Sequence, residues 1–403
     1  MELKIISAKG RILLRAVIIL LFVLVHFALY FGPSLYTGEE AGQDTYSGEG
    51  FKLELKGAIV SRVRCDNIQI KAVALHPRIK VIIPKKIQGR RLFFEIDNVG
   101  SVEALEDSLF KNFKKLKNGV RFALDISEQG EFIIALPSDD STKFNFAVMG
   151  DSRGSASPFA NGRGAYFVFR RILNRAASNN AIFSVDLGDI VNSGRVYQYR
   201  ILNSGLSKLK NMVFLGVAGN HDLMRNGRRL WNILFGPSYY SFEHNGWRFI
   251  ALDNNADDFG EEQFKWLEEE LKKTTPGKFF IFMHKPLFDP RPGNDYVMSN
   301  ILQRHRLLKF FDSSLPAAVF ASHIHGYNYA KRGGTEYFIT GGGGAHLRME
   351  NAFYHFINVE IDNGKVKYST VKVSNFPDFR WLVYFAFNVL ILAGIIIATK
   401  SER

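Results

Sequence analysis

Cysteine is almost missing from this chain: Cys65 is the single one in 403 residues. That excludes an intrachain disulfide framework and any multi-cysteine zinc or iron–sulfur site. It leaves the redox compartment open, because many exported domains lack disulfides. No Asn is followed by x-Ser/Thr, so N-glycosylation acceptors are absent, which weighs toward a bacterial setting over a secretory pathway. Acidic residues are outnumbered, 39 against 52 basic ones, leaving a formal charge of +13 that suggests anionic partners: phosphates, nucleic acid or acidic lipid. Hydrophobic residues at 46% and charged residues at 23% exclude wholesale disorder, and the length allows two or three domains.

Charge disappears altogether from two stretches. Between Arg15 and Glu39 there is no Asp, Glu, Lys or Arg, and Ala16–Phe31 is almost continuously apolar. With Ile12–Leu14 added, the run reaches the roughly 20 residues that a spanning helix needs. Its basic start (Lys4, Lys9, Arg11, Arg15) also suits a cleaved signal peptide. The apolar region is long, however, and lacks a small-x-small cleavage site, which favours an uncleaved anchor. A second run, Trp381–Thr399, lies between Arg380 and Lys400, with Trp381 and Tyr384 at one end where interfacial aromatics gather. Its length and terminal position favour a span over a buried core helix. Four basic residues precede the first run, whereas Gly32–Gly50 has none and carries Glu39, Glu40, Asp44 and Glu49. The positive-inside rule then puts both termini in the cytoplasm. The expected localisation is the membrane, with the folded middle extracytoplasmic: periplasmic, extracellular, or lumenal in a eukaryote.

Five segments follow: 1–32 with the first span, a polar Gly-rich linker at 33–50, a β-rich accessory domain at 51–140, a larger α/β domain at 141–375, and the second span with a short tail at 380–403. The accessory domain offers short strand-like runs (FKLELKG, NIQIKAVAL, RIKVIIP, RLFFEI, RFALDI, EFIIAL). One helix is expected among them, where Val102, Leu105, Leu109, Phe113 and Leu116 recur at helical spacing before Gly119. From Lys143 onward apolar strands alternate with helices, the clearest being Arg163–Ala177 and Glu261–Lys273. That rhythm implies an α/β layered core with helix-covered sheets. No internal repeat and no long low-complexity tract is present.

The chemistry sits where the strands end. FAVMG is followed by Asp151, SVDLG by Asp189, and LGVAG by Asn220, His221 and Asp222; FIFM is followed by His284, and VFAS by His323 and His325. Loops beyond the carboxyl ends of α/β strands converge on one crevice, so five such ends point to one site. Each piece alone is weak: Gly-Asp is most often a turn, and a lone histidine is more often a satisfied core residue. Together, carboxylates, an amide oxygen and imidazoles with no thiolate suit Mn²⁺, Fe or Zn²⁺. Two such ions about 3.5–4 Å apart can stabilise both the attacking and leaving oxygens of a phosphoryl displacement.

The series Gly150-Asp151-Ser152-Arg153, Gly188-Asp189, Gly219-Asn220-His221-Asp222, His284 and His323-Ile324-His325 resembles the calcineurin-like metallophosphoesterase family, which includes purple acid phosphatases. The resemblance covers roughly Lys143–Val373. It implies a two-sheet β-sandwich flanked by helices, with two divalent metal ions at its rim. In that reading Asp189 bridges the ions, Asp151 and His325 complete the first site, and Asn220, His284 and His323 complete the second. A metal-bound hydroxide attacks phosphorus, His221 protonates the leaving oxygen or stabilises the phosphate, and Asp222 orients the His221 imidazole. The family's usual Asp-x-His departs here at Arg153, which has no lone pair to offer a metal. Two expectations follow: a first metal site that is weak, water-completed or empty, or an Arg153 that grips a substrate phosphate bidentately, the second being favoured.

The implied activity is that of a membrane-anchored phosphoesterase with a phosphorylated substrate, and anchors at both ends make a lipid- or glycan-linked phosphate the finer expectation. The alternative is a catalytically weak scaffold that binds a phosphorylated ligand. Nucleic-acid binding is not expected, because the positive charge is dispersed and no nucleic-acid module is legible. Arg163, Arg170, Arg171, Arg225, Arg228 and Arg229 read as a solvated face, and Pro286–Asn300 as a pocket rim.

Overall fold

The chain carries 36 phenylalanines, and many of them meet between two sheets. The computed structural model describes residues 35–85, 90–100, 110–125, 129–135, 141–154, 165–256 and 258–374. It also describes Ala16, Val17, Ile19–Leu21, Ala386, Asn388–Ile391 and Ala393.

One sheet runs in the order Val213–Gly216, Ala181–Asp186, Lys143–Met149, His355–Asp362, Lys365–Lys372. Its first three strands are parallel, His355–Asp362 pairs antiparallel to Lys143–Met149, and Lys365–Lys372 pairs antiparallel to His355–Asp362. The other sheet runs Tyr240–His244, Trp247–Ala251, Phe279–Phe282, Ala318–Ala321, Thr335–Thr340, Tyr327–Arg332, with four parallel strands inside and an antiparallel strand at each edge. Phe146, Phe183, Phe249, Phe280, Phe282 and Phe320 fill the gap between the sheets; Phe146 stacks on Phe183 at 4.9 Å and meets Phe249 edge-on at 5.5 Å. Such rings bury the largest apolar area per residue and lock one another's orientation.

Helices cover both outer faces. Ala165–Ser178 buries Ala165, Val168, Phe169, Ile172, Leu173 and Ala176, a stripe of helical period, and joins Val196–Leu206 and Gly227–Phe235 over the first sheet. Glu261–Leu271 and Ile301–Ser314 cover the second, burying Phe264, Leu267, Leu307 and Phe311. The latter begins at Asn300, whose side chain accepts from the Gln303 N–H at 3.1 Å as a helix cap. The expected two-sheet sandwich flanked by helices is therefore what the chain forms.

The accessory region is a second sandwich. A four-stranded antiparallel sheet (Thr45–Gly48, Phe51–Lys56, Arg78–Ile83, Gly130–Ala135) faces a five-stranded one (Ala58–Arg64, Asn67–Ala72, Arg91–Asp97, Gly119–Asp125, Phe110–Lys115). Leu53, Val60, Ile70, Val81, Phe94 and Phe122 fill its core. Leu35–Asn375 forms one compact unit.

Within that unit Asn98 joins the two sandwiches. Val213–Gly216 is an edge strand, and Asn98 pairs it as another strand would: its Oδ1 accepts from the Phe214 N–H at 2.8 Å, and its Nδ2 donates to Phe214 O at 2.9 Å. The same amide donates to Ala72 O at 2.9 Å, tying the accessory sheet to that edge. Replacement by leucine leaves three buried backbone groups without this partner. Asn98→Leu is therefore expected to lower unfolding stability by about 2–4 kcal/mol, read from the midpoint in urea. An unchanged midpoint would show that the bridge contributes nothing.

Three expectations need correction. Among the described residues no helix is long and apolar enough to cross a membrane, so the two transmembrane helices in the expected fold are not supported; most of both apolar runs lies outside the described residues. The helix expected through Val102–Leu116 is not there: Phe113 lies in the strand Phe110–Lys115, and 101–109 falls outside the described residues. That strand is an edge with a bulge, Asn112 at φ 57°, whose apolar spacing imitates a helix. The linker at 33–50 contains the strand Thr45–Gly48, paired with Phe51–Lys56.

Candidate metal centre

Each predicted site residue follows one of the parallel strands, and several adopt backbone conformations that side chains resist. Asp151 and Asp189 both have φ 55°, Arg153 φ 45° and His323 φ 64°. Left-handed backbone at non-glycine residues costs about 1–2 kcal/mol each and persists where the surroundings enforce it. Here the enforcing contacts are visible: Asp151 N–H donates to Gly188 O at 2.9 Å, and Arg153 N–H donates to Asp189 O at 3.0 Å, so the two aspartate loops hold each other. The glycine-rich turn after Thr335–Thr340 closes over them. A Cβ at Gly341 would stand 2.7 Å from Asp151 Oδ2, and one at Gly150 would stand 2.3 Å from Ser322 Cβ, so only glycine fits at either place.

The side chains converge on one buried hollow. Asp151, Asp189 and His284 each present a ligand atom within 4.8 Å of the others. His284 Nδ1 donates to Leu187 O at 2.9 Å, with Ser322 Oγ at 3.1 Å, leaving Nε2 with its lone pair. That Nε2 lies 3.1 Å from Asn220 Oδ1, 3.5 Å from Asp189 Oδ1 and 3.1 Å from His323 Nδ1. His325 is set the same way: Nδ1 donates to His346 O at 2.7 Å, and Nε2 lies 3.3 Å from Asp151 Oδ1. Holding one ring nitrogen as a donor aims the other's lone pair inward, as metal-binding imidazoles require.

Asp151 is the plainest sign of an absent charge partner. Its carboxylate is completely buried, and among the described residues neither oxygen takes a hydrogen bond of good geometry. Burial pushes its pKa up, but His325, His284 and His323 outweigh that and hold it below the ordinary range. Burial, with His284 beside it, pushes His323 down to about 3, so its ring is neutral and free to ligate. Burial alone would lower His325, yet Asp151 raises it. Gathered lone pairs and an unpartnered buried carboxylate fit a divalent cation, and the lack of thiolate suits Mn, Fe or Zn.

The structure brings Asp151, Asp189, Asn220, His284, His323 and His325 together, with Arg153 and His221 beside them. Asp222 does not orient His221. Its carboxylate accepts from the Val191 N–H at 2.8 Å and the Gly219 N–H at 3.0 Å, and burial pushes its pKa well above the ordinary value. It pins the Asp189 and Asn220 loops together. The His221 ring is held instead by Asn192, whose backbone oxygen accepts from Nδ1 at 2.7 Å. Asn192 was missed by sequence reasoning; its signal was a polar residue three positions after Asp189. Its side-chain oxygen also accepts from Arg153 Nη1, while Arg153 Nη2 lies 3.2 Å from Asp189 Oδ2.

The rim loop at Pro286–Asn300 contributes Tyr296, which stacks on His323 at 4.2 Å and 9°. Asp289 braces that loop, accepting from Arg291 and from the Tyr296 N–H at 3.0 Å. Among the downstream arginines, Arg171 donates to Ser374 O and Arg229 to Thr37 O, outward contacts consistent with a solvated face.

Acceptors gathered at one rim of a helix-flanked β-sandwich define a metallohydrolase-type centre. Residues 144–327 match the calcineurin-like phosphoesterase family model. A probable purple acid phosphatase 20 of Arabidopsis thaliana is 27% identical over 135 residues, 28% of this chain and 31% of that protein. A probable glycerophosphodiester phosphodiesterase GpdQ of Arcobacter nitrofigilis is 30% identical over 114 residues, 25% and 40% of the two chains. The chain thus spans less than half the length of these curated relatives. Among solved structures, the purple acid phosphatase PPD1 of yellow lupin (Lupinus luteus) has a TM-score of 0.49 at 12% identity, covering 73% of this chain and 70% of that one.

Proposed function

We propose that the protein is a metal-dependent phosphoesterase. The observation that carries this reading is the buried, unpartnered Asp151 carboxylate within a ring of inward-facing lone pairs from Asp189, Asn220, His284, His323 and His325. Divalent ions held there, two in the reading drawn from the family, would polarise the phosphate and acidify a water. The chain's own groups do the rest. Arg153 offers a fixed positive charge to the phosphate, beside Asp189. His221, its ring anchored by Asn192 and its Nε2 3.8 Å from Asp189 Oδ2, delivers a proton to the leaving oxygen.

A phosphate carried on a lipid or glycan is the finer reading. It draws support from Tyr296 and Met224, both more than two-fifths exposed, near in sequence or space to the ligand residues. An extracytoplasmic setting goes with it, from the charge asymmetry around the first apolar run; activity confined to a cytosolic fraction would overturn that part.

The test is hydrolysis of an aryl phosphate monoester and diester by the full chain with Mn²⁺ supplied or chelated. Turnover that disappears on chelation and returns with Mn²⁺ is expected. Folded, metal-loaded protein that binds phosphate yet turns over neither ester would point instead to a phospho-ligand scaffold.

A further inference from the structure

We infer that Arg153 is a resident cation standing where a second metal ion would otherwise be held, so that the protein binds one divalent ion tightly rather than two. The inference rests on the phosphoesterase reading and concerns the same hollow. Asp189 has two carboxylate oxygens, and the structure divides them. Oδ1 turns toward His284 Nε2 at 3.5 Å and accepts the His221 N–H at 2.8 Å; Oδ2 is 3.2 Å from the Arg153 guanidinium. On the Oδ1 side, Asn220, His284 and His323 supply three further donors clustered at 3.1 Å contacts. Asp151 belongs to this same group, with a ligand atom within 4.8 Å of those of Asp189 and His284, and its Oδ1 lies 3.3 Å from His325 Nε2; the Oδ2 side is left to Arg153.

Arg153 is built into this place. Its side chain is only 13% exposed, its backbone is pinned by Asp189 O, and Asn192 accepts from its other terminal nitrogen. A guanidinium has no lone pair to offer, so the half-buried Arg153 withholds a ligand and sets its positive charge against a neighbouring dication. Its charge offsets the Asp189 carboxylate without any ion, and it faces the phosphate with the charge a second ion would otherwise bring. Arg153 is then a positioning residue for the metal as well as a phosphate contact.

The experiment counts metal. The full chain is loaded with excess Mn²⁺, dialysed against metal-free buffer, and analysed for Mn per chain by elemental analysis, with the electron paramagnetic resonance spectrum recorded alongside. Wild type is expected to retain one ion and show the six-line signal of isolated Mn²⁺. Arg153→His supplies a neutral imidazole in place of the guanidinium and is expected to retain two, with the broadened signal of a coupled pair. Two ions retained by wild type would overturn this inference while leaving the phosphoesterase reading intact. No ion retained by wild type would overturn both. A folded Arg153→His protein that still holds one ion would show that the guanidinium is not what excludes the second; if that variant fails to fold, the wild-type count and spectrum decide alone.

Discussion

Asp189→Asn is expected to lower kcat/KM on an aryl phosphate by about 10³–10⁴-fold, the scale on which removal of a charged group acting at a reacting centre is felt. The change is nearly isosteric, so the packing around it is kept; what goes is one negative charge at the centre of the hollow. Asp189 receives the His221 N–H at 2.8 Å, faces His284 Nε2, and neutralises Arg153 at 3.2 Å. An amide cannot attract a cation as a carboxylate does, and it leaves the Arg153 guanidinium with Asn192 but no carboxylate partner. Metal content and activity should therefore fall together. A variant that loses its metal but keeps activity within tenfold of wild type would remove Asp189, and the metal with it, from the reaction.

His221→Ala tests proton delivery. The expected signature is a split between substrates: a fall of about 10²–10³ in kcat for an alkyl phosphate, whose leaving oxygen needs a proton, and a much smaller fall for 4-nitrophenyl phosphate, whose leaving group departs as an anion. The geometry behind this is the Nδ1 contact to Asn192 O at 2.7 Å, which leaves Nε2 as the working nitrogen, beside Asp189 Oδ2. Equal losses on both esters would assign His221 to phosphate binding instead. Alanine at 221 also keeps the backbone N–H to Asp189 Oδ1, so metal content should hold where Asp189→Asn loses it.

Much of this centre was legible in the sequence because its donors follow apolar strands, where the rhythm of the chain changes abruptly. FAVMG-Asp151 and FIFM-His284 read as strand and then ligand, and the strands Lys143–Met149 and Phe279–Phe282 end within two residues of those side chains. What could not be read was contact between distant loops. Asp222 looked like a partner for its neighbour His221, but His221 is held by Asn192 O, and Asp222 accepts from the Val191 and Gly219 N–H groups. Asn192 and Tyr296 carried no motif; their roles arise from a fold that brings them to His221 and His323. In the accessory sandwich the inner strands were plain from alternation, as in Phe51–Lys56, where Leu53 and Leu55 turn inward between Lys52, Glu54 and Lys56. The edge strands Thr45–Gly48 and Phe110–Lys115 were misread, because an edge that is polar or bulged owes its shape to a partner and not to its own pattern. The apolar terminal runs showed the opposite weakness: hydropathy alone suggested spans that no described helix matches.

The strand that launches Asp151, Lys143–Met149, is flanked on one side by His355–Asp362, with Lys143 opposite Asp362. The turn that closes over Asp151 comes just before that partner, at Gly341–Ala345, where Gly343 N–H donates to Gly150 O and Ala345 N–H to Asp151 O. A chain emerging from the ribosome therefore holds its first aspartate unenclosed until some two hundred further residues have been made, with the phenylalanine-lined side of a half-built sheet open to other chains meanwhile. Pairings this distant in sequence form slowly, and uncovered apolar strands are where association between nascent chains begins. Messages truncated before His355 should yield insoluble product rather than a weakened enzyme, because the strand completing the sheet also brings the last wall of the site.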